Sequence, residues 1–129
     1  MSSTQSTIVK GVTMTVRTIP AQNSRFKVGW IILLIISALM TLSHFSLIFI
    51  LDEPNLFTGF AAFNFYSFVV ILIPFRRVEK WAWLITWILP IGLAIPAATD
   101  TNIAIYYFGI VAVCVLGLLL TMRDFFLKR

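Results

Sequence analysis

The stretch VGWIILLIISALMTLSHFSLIFIL, residues 28–51, contains no Asp, Glu, Lys or Arg. As a helix rising about 1.5 Å per residue it is long enough to cross a hydrocarbon core roughly 30 Å thick. Its central part, from Trp30 to Met40, is apolar on every side of a helical wheel rather than along one stripe, the pattern of a helix that faces lipid. Three further stretches free of charge follow, at residues 56–74, 81–97 and 103–122. Only helices and closed barrels satisfy all backbone polar groups inside a bilayer, and stretches of this length specify helices. The expectation is therefore an all-α polytopic membrane protein: a bundle of four transmembrane helices with both termini on the same side.

Composition agrees. The hydrophobic content is 60%, the mean hydropathy is +0.97, and only short connections remain between spans, which leaves room for one compact domain at 26–126. Residues 1–25, rich in Ser, Thr and Gln, read as a flexible tail; Met14 offers an alternative start, and no signal-peptide cleavage pattern follows the first span. Residues 127–129 form a basic end. The net charge of +5 does not point to nucleic acid, because the basic residues sit beside span ends instead of covering a folded polar surface.

All ten Lys and Arg residues fall in three segments: the tail (Lys10, Arg17, Arg25, Lys27), the connection after the second span (Arg76, Arg77, Lys80) and the C-terminus (Arg123, Lys128, Arg129). Four spans put these segments on one side, and the positive-inside bias makes that side the cytoplasm of a cell, inner or plasma, membrane. The other side receives two short turns around Asp52-Glu53-Pro54-Asn55 and Asp100, with acids and no bases. Pro54 suits the first turn of the second helix, Asp52 or Glu53 its cap, and Thr99, Asp100 or Thr101 the cap of the fourth. Trp30, Trp81 and Trp83 match an interfacial aromatic belt, and Pro90 predicts a kink in the third span.

Few polar groups enter the spans. Ser37, Thr41 and His44 share one helical face, Asn64 and Ser67 another, and His44 and Asn64 are expected to meet across the first helical hairpin about two turns below its outer end. Groups of this kind need partners in hydrocarbon, so both faces should point inward. Interhelical hydrogen bonding is one reading. The other is a ligand or proton site in which His44, the one intramembrane side chain of a type whose reference pKa lies near neutrality, works with Asn64 and with Tyr66, Tyr106 and Tyr107 as polar walls. Arg76, Arg77 and Lys80 are candidates for contact with lipid headgroups or a cytoplasmic partner.

Catalytic patterns are missing from the sequence: the adjacent acids Asp52 and Glu53 lie on a wet turn, one His and one Cys do not make a zinc site, and no phosphate-binding or nucleophile-elbow motif occurs. No cofactor is implied. Cys114, in the fourth span, reads as a small packing residue.

The run Asp52-Glu53-Pro54, then Gly59, Ala61 and Asn64, then Phe75-Arg76-Arg77-Val78-Glu79-Lys80-Trp81-Ala82-Trp83, resembles a pattern in small uncharacterised prokaryotic four-span integral membrane proteins. In span number the chain is also similar to DoxX-like membrane proteins. The resemblance implies a small inner-membrane protein and carries over no catalytic residue.

Three functional expectations follow. The first is a non-enzymatic structural or accessory component whose partners are the bilayer and a homo-oligomer or larger membrane complex. A carrier or channel lined by His44 and Asn64 is the second, opposed by the absence of any charged residue within the spans. The third is a bundle that binds a small molecule or lipid between its helices.

Overall fold

The computed structural model describes residues 23–52, 54–99 and 101–127, so residues 1–22 of the tail with its alternative start, Lys128 and Arg129 of the basic end, and Glu53 and Asp100, two of the five cap candidates, lie outside the described residues. All elements are helical: α1 Ser24–Leu47, α2 Pro54–Val70 continued by a π-helical turn Ile71–Phe75, α3 Lys80–Thr86, α4 Ile88–Thr99 and α5 Thr101–Phe126. They make four spans, Ser24–Leu47, Pro54–Phe75, Lys80–Thr99 and Ala104–Phe126, each long and apolar enough to cross a membrane. The chain is a four-helix membrane bundle, and Asn23 and Leu127 lie at its same, basic end.

Boundaries differ from the sequence reading where capping and proline act. Regular helix in α1 stops at Leu47, and looser turns, with Ile48 N donating to His44 O and Leu51 N to Leu47 O, carry the chain on to Leu51. Pro54 does open α2, where its missing N–H costs nothing. The expected kink at Pro90 is a break at Trp87, which separates α3 from α4. Proline clashes with the carbonyl four residues back and cannot donate to it, so the disruption falls on the turn before the ring. Pro74 acts similarly in the second span: without its N–H the helix widens into the π turn.

The second span ends in a Schellman motif. Glu79 N donates to Pro74 O at 3.2 Å and Val78 N to Phe75 O at 2.9 Å, with Val78 at φ 60° in the left-handed region. A β-branched residue is costly there, and glycine is the usual occupant.

Packing is closest between spans adjacent in sequence at the hairpins, and between α1 and α5. On α1 the buried residues Phe26, Gly29, Leu33, Ser37, Met40 and His44 recur every three or four positions and so form one face. Where α1 crosses α5 the backbones nearly touch: a Cβ on Gly29 would lie 2.6 Å from Gly117 O and 2.8 Å from Thr121 Cγ2. At the basic end Phe26, Phe75 and Phe125, all buried, meet with ring centroids 4.8–6.1 Å apart and tie α1, the π turn and α5 together.

The fourth seam closes only in part. The second span meets the third through α3 and the π turn at the basic end, whereas α2 and α4 touch sparsely. Their main meeting point is Phe63, whose ring lies where a Cβ on Gly92 would be, at 2.8 Å.

Candidate functional site

The site grows from the α1–α2 hairpin. His44 and Asn64 are 3% and 1% exposed, and the bundle brings them together as the sequence predicts. His44 sits within the last regular turn of α1, nearer the helix end than expected, because the turns after Leu47 are looser than helix. The imidazole is covered by Phe60 and Phe57, at centroid distances of 5.3 and 6.4 Å.

The hydrogen bonding is local. His44 Nδ1 lies 2.8 Å from Met40 O, and only a protonated Nδ1 makes that contact favourable, so Nδ1–H donates and Nε2 keeps the lone pair. Asn64 Nδ2 donates to Phe60 O at 2.8 Å and also lies 3.3 Å from His44 Nδ1. With a hydrogen on both nitrogens, this last approach joins two donors. The expected His44–Asn64 hydrogen bond is therefore a contact without a hydrogen bond in this tautomer. Flipping the Asn64 amide does not restore it, because Oδ1 would then face the Phe60 carbonyl. As it stands, Asn64 Oδ1 is the one buried side-chain polar atom without a partner among the described residues. Leaving such an acceptor unpaired costs about 1–3 kcal/mol.

The buried hydroxyl side chains discharge their donors within their own helices. Ser37 Oγ donates to Leu34 O, Ser67 Oγ to Phe63 O, Thr86 Oγ1 to Ala82 O and Thr121 Oγ1 to Leu118 O, at 2.7–3.0 Å. Thr41 is only half-buried; it donates to Ser37 O at 2.7 Å and lines an outward groove of about 260 Å³ with Ala38, Leu42, Phe65 and Phe68. Tyr106 is 72% exposed and Tyr66 55%, so neither walls the His44–Asn64 pair. The helical phase that turns Asn64 inward turns Tyr66 outward, and among the described side chains of α5 the buried ones begin at Cys114. Tyr107 is partly buried against the core. No group of three or more His, Cys, Asp or Glu is placed to hold a metal among the described residues.

Beside the pair lies the open part of the fourth seam. Gly59, Phe60 and Phe63 of α2 and Gly92 and Ile95 of α4 line an almost wholly apolar cleft of about 430 Å³. Gly59 leaves open space here, whereas the place of a side chain on Gly92 is taken by the Phe63 ring. Phe60 belongs to both features, lining the cleft, covering His44 and accepting from Asn64.

At the basic end Arg76 and Lys80 sit over aromatic rings: the Arg76 guanidinium is 5.4 Å from the Trp30 centroid and Lys80 Nζ 6.0 Å from that of Phe126. Such placements anchor the aliphatic stems while the charged heads stay at the surface. Arg77 is exposed beside them. Two tryptophans expected as interfacial anchors also latch neighbouring spans together. Trp30 Nε1 donates to Ile71 O in the π turn at 2.8 Å, and Trp83, 8% exposed, donates to Leu118 O at 3.2 Å. Sequence reasoning missed both latches, together with the Gly29–Gly117 crossing. The available signal was that Gly29 falls on the same helical face as Leu33, Ser37 and His44.

No known protein family matches the chain, and neither a curated protein nor a solved structure is detectably similar to it.

Proposed function

We propose that the chain is a non-enzymatic, multi-pass component of the cell membrane, with both termini in the cytoplasm, that works through its packed apolar faces on lipid and on itself or neighbouring membrane proteins. The observation that carries this reading is the fate of the buried polar groups. Each hydroxyl donor among them is spent on a carbonyl of its own helix, and among the described residues these bonds form no relay across the bundle and pair no nucleophile with a base. The short motifs around Asn64 and Arg76 fit a place among small prokaryotic four-span proteins, and Arg76, Arg77 and Lys80 fit contact with anionic headgroups.

Vesicles reconstituted with the protein should be no more permeable to glycerol than protein-free vesicles, and native mass spectrometry from mild detergent should show a second copy or a membrane partner. Glycerol flux abolished by His44→Ala would instead make the protein a conduit.

A second reading, a bundle that holds a neutral small molecule or lipid, is favoured by the unpartnered Asn64 Oδ1 beside an apolar cleft. Native mass spectrometry of wild type against His44→Ala reads both, because a retained small molecule lost on substitution selects the second.

A further inference from the structure

The chemistry of the His44–Asn64 pair restricts what it can hold. With Nδ1–H given to Met40 O and one Nδ2–H to Phe60 O, the imidazole keeps the Nε2 lone pair, and the amide keeps Oδ1 and its second N–H. A buried acceptor attracts a donor. Among donors, a cation is opposed by its desolvation, since no carboxylate stands among the described residues of the spans around the pair to compensate it. An anion would meet lone pairs. An amide N–H would bring a carbonyl as well, a bulkier group to seat against a fully buried Oδ1. A hydroxyl is the compact neutral group that remains.

We propose that Asn64 Oδ1, buried beside the His44 imidazole, is the seat of a hydroxyl group that donates its hydrogen to the amide oxygen. This inference rests on the second reading above and names its chemistry. The O–H is supplied either by a water molecule or by the head of an alcohol-type amphiphile from the membrane. The second source would come from the apolar cleft between α2 and α4, which Phe60, the residue covering His44, separates from the pair. A bound hydroxyl also explains why the fold carries an asparagine at 1% exposure with an unsatisfied oxygen, where leucine would fill much the same volume.

The test compares wild type with Asn64→Leu in detergent, reading thermal unfolding with 1-dodecanol or dodecane added, and reading cross-relaxation between water and the Asn64 side-chain amide by NMR. If water fills the seat, the Asn64 amide shows a water cross-peak, Asn64→Leu lowers the midpoint, and the two additives act alike. If an amphiphile fills it, 1-dodecanol raises the wild-type midpoint by several degrees, dodecane does not, and Asn64→Leu abolishes the difference. The proposal is overturned if no water cross-peak appears and 1-dodecanol behaves as dodecane does. Equal stabilisation by both additives would then keep the second reading with a purely apolar ligand, and no stabilisation by either would remove that reading as well. Should Asn64→Leu fail to fold, the wild-type measurements alone decide.

Discussion

Asn64 and Val78 are each held in a state their own chemistry disfavours. Asn64 buries an oxygen without a donor, and Val78 closes the connection between the second and third spans at φ 60°. Val78 offers the cleaner measurement. Left-handed backbone costs an L-residue about 1–2 kcal/mol and glycine almost nothing. Val78→Gly should therefore be more stable than Val78→Ala by about 1 kcal/mol in thermal unfolding, the reverse of their order inside a helix, because both lose the same side-chain packing. Equal stability would mean that the turn relaxes when the valine is removed. Trp30 gives a second test. Trp30→Phe keeps an aromatic ring beside Arg76 but loses the donor to Ile71 O, and should cost about 1 kcal/mol while lowering hydrogen-exchange protection around the π turn.

Two prolines decide what happens inside the elements. Pro74 widens the end of the second span into a π turn, and Pro90 divides the third into α3 and α4 at Trp87. Both breaks lie in the spans that form the incomplete seam. The unbroken helices α1 and α5 pack closely instead, and their crossing depends on the absence of a side chain at Gly29. Gly29→Ala would drive a methyl against Gly117 O and Thr121, for a loss of about 1–3 kcal/mol read as a lower unfolding midpoint. Gly109→Ala on the same α5 helix meets nothing within 4 Å and should be neutral or stabilising by about 0.5–1 kcal/mol. If the two substitutions behaved alike, the crossing would not be the contact that sets the α1–α5 distance.

Over the whole molecule, the basic end is locked and the opposite end is partly open. Phe26, Phe75, Phe125 and the two indole latches join all four spans at the first, while at the second α2 and α4 leave the cleft between them. Orientation is tested at the same scale. With Cys114 buried and unreactive, Asp52→Cys should be labelled by a membrane-impermeant maleimide on intact cells, and Arg77→Cys only after permeabilisation. The opposite pattern would invert the topology.

The charge-free stretches were sufficient to determine the spans, their number, the common side of the termini and the inward faces carrying Ser37, His44, Asn64 and Ser67. Span length and helical phase are properties of the local chain, and the bilayer leaves few alternatives to them. The tertiary structure alone decided that His44 and Asn64 meet as two donors, that Trp83 is buried, that Tyr106 faces outward, and that the seam between α2 and α4 stays partly open. Those outcomes depend on which carbonyl lies within reach of which donor, and on how closely Gly29 lets α1 approach α5. Both are distances between helices, and helical phase within one span does not contain them.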